Sequence, residues 1–549
     1  MTRILLELEA RLLLNYNNHG QHLAVLHDCM KNLIFATMLF ASVAANAQNY
    51  NMEFLGKKTF GQELNDIWGY TDEEGNEYAL VGKTYGFGIV DITDGTILNE
   101  VFSVYDDFTT WRDIKTWNNH AYITCECSSG LLIVDMTPLP QNTNLSYTYW
   151  QSGDSFEFSS AHNLFIDENG IAYIFGANVQ KGGAIMLDLT QDPMNPVELG
   201  IYDNEYLHDG VVRGDTLWGG AVYVGDVNVV DVSDKANPVL LSSWKTPNAF
   251  THNMWFSDDN KNLFTTDEVV NGSIASYDVS NIYNPKEIDI WQPQDTGIIP
   301  HNTHFINDFL VTSHYTIGIN IIDVKRPNNM IETGRYDTSP SYNYEGFHGC
   351  WGAYPWLPSG KILATDIETG LYVFEPTYVR GCYLEGAVTD QHTGTPIFFP
   401  TIEIIEDSSS ITGSLTGKYA TATLNAGTYT VKVSADGYYS KTITGVQLQN
   451  GELTLLDVQL SNWPLNVDEL STEEIQVIPN PAHDVITIYS TQQMSSVRIF
   501  SITGQVMFEN MTITSNDGYT LKIGDYPRGV YLIEVIFGGK KMISKFIAQ

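Results

Sequence analysis

The chain has 549 residues, with 28 Lys+Arg against 65 Asp+Glu and a formal net charge of −37. That length exceeds what a single hydrophobic core supports, so several domains are expected. The charge argues against a phosphate-backbone binder of nucleic acid and against docking on anionic lipid. Aromatic residues at 12 % with 45 Gly argue against a wholly disordered acidic chain and fit a β-rich one.

Met30-Lys31-Asn32, the apolar run Leu33 to Ala45 and the small-residue site ending at Ala47 have the form of a signal peptide over 30–47. The run is too short to span a bilayer comfortably, so the mature chain has no predicted transmembrane segment. Residues 1–29 read as an upstream mis-start, with Met30 the true start; the alternative is an extended n-region. Past residue 47 four cysteines remain, Cys125, Cys127, Cys350 and Cys382. They allow three connectivities, and the sequence does not choose among them.

From residue 65 to about 376 a pattern of forty to fifty residues recurs seven times. A polar pair opens a strand, a turn leads to a second strand, and a third strand ends in Asp. The polar pairs are Asn65-Asp66, Arg112-Asp113, His162-Asn163, His208-Asp209, His252-Asn253, His301-Asn302 and His348-Gly349. The third strands include GIVDI, LLIVDM, AIMLDL and VNVVDV. Most copies have a fourth strand, such as PVELGIY or PVLLSSW, but the seventh has none, while NMEFLGKKTF at 51–60 stands alone before the first copy. A closed ring accounts for both, because the N-terminal strand then completes the last unit and removes an unpaired edge. The prediction is an all-β chain, with a seven-bladed β-propeller over 48–378.

The Leu132-Ile133-Val134-Asp135 ending resembles the LVIVD repeat. The blocks EYALVG, WRDIKTW, AHNLFID, THNMW and TTDE resemble the family called choice-of-anchor B. That resemblance implies an exported bacterial propeller with variable C-terminal modules, and implies fold and location more than chemistry. Residues 379–461, with LEGAVTDQHTGTPIFFPTIEI and LNAGTYTVKVSADGYYSKTITGVQL, are similar to carboxypeptidase-regulatory-like β-sandwiches, which act as spacers or binding modules. An acidic linker at 462–475 follows. The last segment, 476–549, carries Pro479-Asn480-Pro481, Gly504-Gln505, Gly529-Val530-Tyr531-Leu532 and a basic end. It resembles the type A sorting domain of the type IX secretion system. The resemblance implies a Gram-negative bacterium of the Bacteroidetes type, engagement of that secretion machinery, and passage through the periplasm to the cell surface or the medium, often with attachment to lipopolysaccharide. Two small β-sandwich domains therefore follow the propeller.

In a propeller the starts of the innermost strands encircle one mouth of the central channel. The polar pairs place Arg112, His162, His208, His252, His301 and His348 there as candidate ligand-binding residues. His304 joins them because it breaks the repeat. Counting back from the Gly before each third strand brings Glu126, Glu268, His314 and Asp366 to the same mouth, with Asp267 and Glu368 beside that register. Imidazole and carboxylate together suit Zn or Mn, and carboxylates suit Ca. The candidate metal set is His252, His301, His314, Glu126, Asp267, Glu268 and Asp366, with Trp255 or Trp351 as aromatic neighbours. The competing reading is structural: a His-Asp or His-Asn pair repeated in every blade can hydrogen-bond within the fold. The acidic loops at 167–170 and 258–260 read as β-turns in preference to Ca²⁺ loops. Standard catalytic signatures are missing, so no catalytic residue is assigned. Three functions stay open: binding of an extracellular ligand or protein, metal-dependent hydrolysis or elimination, and a structural or adhesive surface role.

Overall fold

The computed structural model describes residues 49–549 except 152–156, 294, 296, 343–345, 463–474, 491–492, 514–517 and 538–539. The predicted mis-start 1–29, the predicted signal peptide 30–47 and most of the predicted linker 462–475 lie outside the described residues. No helix among the described residues is long and apolar enough to cross a membrane.

Seven four-stranded antiparallel sheets make the first compact unit, which ends at Gly381. Blades 1 to 6 span 64–104, 112–150, 163–202, 209–245, 251–291 and 303–336. Blade 7 takes three strands, Cys350–Tyr354, Ile362–Asp366 and Gly370–Pro376, from its own stretch of chain. Its fourth strand is Met52–Lys58, paired antiparallel to the third from Met52↔Pro376 to Lys58↔Leu371. The inner strand of blade 1 packs on that of blade 7, so the ring is closed.

The strand sequences explain the layering. Inner strands meet a neighbouring blade on both faces, and Glu77–Lys83 is buried at every position, apolar in its middle with a charged residue at each end. Outermost strands such as Val239–Lys245 are exposed or half-buried. The Asp that ends each LVIVD-type strand has a local cause. Asp91, Asp135, Asp188, Asp231, Asp278 and Asp323 each accept a hydrogen bond from the backbone N–H two residues on, at 2.7–3.0 Å. Each is an Asx turn that stops the strand and starts the return to the rim.

The second unit is Cys382–Gln549. In its first half, Cys382–Asp390 is flanked by Lys418–Thr423 and Leu453–Leu455, and a second sheet runs Ser409–Thr412, Thr401–Ile404, Gly427–Ser434, Lys441–Leu448. Leu384, Val388, Ile402, Val431 and Val433 fill the space between these sheets. In the second half the sheets are Gln476–Ile478, Val485–Tyr489, Tyr519–Lys522 and Val506–Asn510, Met494–Ser501, Gly529–Phe537, Lys540–Ala548. Their core is Ile486, Ile488, Val497, Ile499, Ile533, Val535 and Phe546.

Candidate functional site

The two positions of each polar pair have separate duties. The second position stitches blade to blade. Asp66 accepts from Ile114 N at 3.0 Å, Asp113 from Leu164 N at 3.4 Å, and Asn253 from Thr303 N at 2.9 Å. Each acceptor lies one blade before its donor. Asn163 Nδ2 donates to Asp113 at 2.9 Å and Asn253 Nδ2 to Asp209 at 2.6 Å, which continues the ring. Hydroxyls on the second strands add a parallel row: Thr124 to His162 O, Thr266 to His301 O, Ser313 to Trp351 O and Thr365 to Asn65 O, at 2.5–3.2 Å. This is the repeated structural network, and it uses histidine backbone, with one imidazole, that of His301, also reaching Trp351 O.

The first position divides the ring into unlike sectors. In blades 1 and 2 it serves the fold. Asn65 donates to Thr110 O at 3.3 Å. Arg112 is buried, ion-paired to Asp106 at 3.0 Å, and also donates to Lys83 O and Asp107 O. In blades 3 to 6 four imidazoles stand in a chain across the mouth. Ring centroids are 3.8 Å apart for His162–His208, 4.7 Å for His208–His252 and 4.6 Å for His252–His301. His348 stands apart, stacked on Tyr342 at 4.4 Å and bonded through Nδ1 to Glu368 at 2.6 Å.

Carboxylates reach this cluster from the second strands. Glu126 lies 2.6 Å from His162 Nδ1. Glu268 lies between two rings, 3.4 Å from His252 Nε2 and 3.7 Å from His301 Nε2, and accepts from Tyr315 Oη at 2.6 Å. Burial, followed by the neighbouring imidazoles, holds His208 well below the ordinary range and pushes His252 and His301 down to about 3. These rings are neutral at physiological pH, the form that binds metals and accepts protons.

The remaining predicted residues go elsewhere. Asp267 turns into the preceding loop, accepting from Thr246 Oγ1, Asn248 N and Phe250 N. Asp366 does the same with Thr338 and Ser339 and with the amides of Glu368 and Thr369. Strand pairing aligns His314 and Asp366 with Asp267, not with Glu268. Ser313, Thr365 and Thr266, the residues before them, carry equivalent inter-blade hydrogen bonds. His314 is buried against Trp291, with burial pushing it down to about 3. His304 lies deeper in the channel, within 4.9–6.1 Å of Trp68, Trp255 and Trp356. Trp255 is in that cage, whereas Trp351 is at the mouth, 4.9 Å from His301. Cys125 and Cys127 are joined by a disulfide, and Cys350 and Cys382 are free and buried. Asp167 and Asp259 each accept from the backbone N–H two residues on, as turns require. Sequence reasoning missed Tyr315 on Glu268, Tyr342 on His348 and Tyr206, whose hydroxyl is 3.4 Å from His208 Nδ1, because aromatics in loops carry no repeat signal. A larger open cavity of about 620 Å³, lined by Phe165, Arg213, Trp218 and Phe256, is on the opposite face, at the turns between first and second strands.

Residues 75–106 and 216–246 match the LVIVD repeat, residues 383–461 the carboxypeptidase regulatory-like domain, and residues 476–549 the secretion system C-terminal sorting domain. The chain is a β-propeller protein with a type IX C-terminal sorting domain. That domain implies secretion and engagement of the secretion machinery. No curated protein matches. Among solved structures, the β-propeller domain of Cps50 (Swd1) from Myceliophteria thermophila is similar at 12 % identity and a TM-score of 0.43, over 59 % of this chain and all of that one.

Proposed function

We propose that the chain is a cell-surface or released protein of a Gram-negative bacterium that binds a polar ligand or partner at the histidine-lined mouth of its propeller, without turnover. The division of labour between the two ring positions carries this reading. Asp66, Asp113 and Asn253 stitch the blades together. The imidazoles of His162, His208 and His252 are surplus to that network, and that of His301 joins it only through Nδ1 to Trp351 O, yet all four cluster at an opening beside Trp111 and Trp351. Polar groups that do not serve the fold but converge in a concavity are the ordinary mark of a binding site. The sandwich at 383–461 fits a spacer, and attachment to surface lipopolysaccharide after removal of the sorting domain fits the C-terminal match. A metal-dependent hydrolase or lyase is the second reading, favoured by the placement of Glu268 between two neutral imidazoles.

The test compares two variants by thermal and denaturant unfolding. Combined His162→Ala and His208→Ala change should cost about 1 kcal/mol, as for partly exposed side chains outside the structural network. Asp113→Ala should cost about 3 kcal/mol or more, because it removes an inter-blade acceptor and a buried ion-pair partner. Equal losses would place the histidines in the structural network and sink the binding reading. Export is tested separately: deleting 476–549 should trap the protein in the periplasm, and unchanged secretion would refute that step.

A further inference from the structure

The hydrogen-bonding pattern around Glu268 is incomplete in a way that identifies what is missing. His301 Nδ1 lies 2.5 Å from the carbonyl oxygen of Trp351. A carbonyl only accepts, so Nδ1 carries the proton and, in the neutral ring, Nε2 is a bare lone pair. That lone pair faces Glu268 Oε1 at 3.7 Å, and the same oxygen already accepts from Tyr315 Oη. At 3.7 Å the two atoms are too far apart for a direct hydrogen bond, which leaves a gap between them. On the other side, His252 Nε2 is 3.4 Å from Glu268 Oε2, while His252 Nδ1 is buried with no partner. The two histidines are only 3 % and 4 % exposed, where an unmet acceptor is costly. A cation bound by the two Nε2 atoms and the carboxylate would satisfy those three groups, and it would fix the proton of His252 on Nδ1.

The dimensions agree. One donor atom from each of His252, Glu268 and His301 lies within 4.8 Å of the other two. Nitrogens bound at about 2.1 Å in a tetrahedron are about 3.4 Å apart, so modest inward movement closes the site. The outer partners are those that metal-bound groups require: a carbonyl on His301 Nδ1 and a phenol on the Glu268 carboxylate. Two imidazoles and one carboxylate favour zinc-class ions over Ca²⁺, which takes oxygen ligands throughout.

We propose that His252, His301 and Glu268 hold one divalent transition-metal ion of the zinc class at the propeller mouth. The proposal rests on the mouth being a ligand site, and names the ion through which an oxygen atom of that ligand binds. Three protein ligands leave a coordination position open for water or for such an oxygen. His162 and His208 line the approach. Tyr315 is a positioning residue, acting on the ion through Glu268.

The test uses the purified mature chain after chelator treatment. Zn²⁺ is titrated against a competing chromophoric chelator, and Co²⁺ serves as the spectroscopic probe. Expected is one equivalent of Zn²⁺, a visible Co²⁺ spectrum of four- or five-coordinate type, and no comparable response to Ca²⁺. Glu268→Gln, which preserves size and the acceptor for Tyr315, should weaken Zn²⁺ binding roughly 100-fold or more, and Tyr315→Phe about 10-fold, as outer-sphere losses do. His348→Ala should bind as the wild type does. Circular dichroism of each variant separates lost binding from lost folding. No stoichiometric uptake, or uptake indifferent to Glu268→Gln, overturns the metal. If the His162/His208 double variant nonetheless keeps its stability, the mouth survives as a metal-free ligand site; if that variant fails like Asp113→Ala, both readings fall.

Discussion

Replacing Lys115 by Met tests how the ring is held together. Lys115 Nζ bonds Asp113 Oδ1 at 2.5 Å, with side-chain exposures of 11 % and 7 %, and lies 4.5 Å above the Trp68 ring. It is the one cation lining this stretch of channel among the described residues, against Asp66, Asp113 and Asp209. Burial works against its charge, but Asp113, Asp66 and Asp209 hold the ammonium above its ordinary pKa. Burial raises all three carboxylates, with Lys115 opposing the rise, and Asp209 is pushed up to about 6. An acid whose folded pKa is raised binds more protons folded than unfolded. Stability therefore falls as pH rises from the unfolded value near 4 through the folded one. Without Lys115 that window extends to higher pH. Removing one partner from a buried pair costs about 3–5 kcal/mol. Lys115→Met should therefore cost that much at pH 8, shrinking toward about 1 kcal/mol at pH 5, where the carboxylates take up protons. Guanidinium unfolding followed by tryptophan fluorescence, repeated from pH 5 to 8, measures it. A loss under about 1 kcal/mol at pH 8, or one equal at pH 5 and 8, would refute the account.

Removing residues 49–58 should open the ring, because it leaves Gly370–Pro376 as a bare edge; limited proteolysis should then cut first within blade 7, and resistance equal to the full chain would contradict this. Glu77→Ala should cost about 3 kcal/mol near neutral pH, since Glu77 joins blade 1 to Ser359 N, Ser359 Oγ and Lys361 Nζ of blade 7 at 2.7–3.0 Å. Those bonds outweigh burial and hold its carboxyl below the ordinary range. Their contribution is present above the unfolded pKa and lost as pH falls through the folded one, so the cost should fade in acid. Thiol labelling of a chain spanning 48–549 should find no reactive cysteine in the native state, two in denaturant and four after reduction, from the Cys125–Cys127 bond and the buried Cys350 and Cys382. Four thiols in denaturant without reductant would contradict that pairing.

The blades were legible because each repeats the same local physics: a third strand buried up to its last residue, then an Asp that caps its own turn. The closing strand was legible from absence, since the seventh copy ended early and one strand stood unclaimed before the first. The mouth was legible only to within one residue. Counting back from Gly assumes loops of equal length between second and third strands. From Asp267 to Ile274, from His314 to Ile319 and from Asp366 to Gly370 the lengths differ. In a strand a one-residue slip moves a side chain to the other face. Asp366 and His314 therefore fall on the buried side with Asp267, while Glu268 and Glu126 reach the histidines.

Charge also restricts what the mouth can receive. The propeller segment 48–380 carries 45 acidic against 16 basic residues. The histidines do not offset this where it matters, because burial keeps His208, His252 and His301 neutral. Glu126, Glu268 and Glu368 meanwhile bring carboxylates to the imidazoles. Arg112, a fixed cation lining the mouth, is already matched by Asp106. An anionic ligand would enter against this field unless a metal ion were there to receive it. A neutral or cationic ligand would enter with it. Thus if Zn²⁺ titration finds no ion, carboxylate and phosphate ligands become the least suitable occupants of the mouth, and hydroxyl- or amine-bearing ones the most suitable.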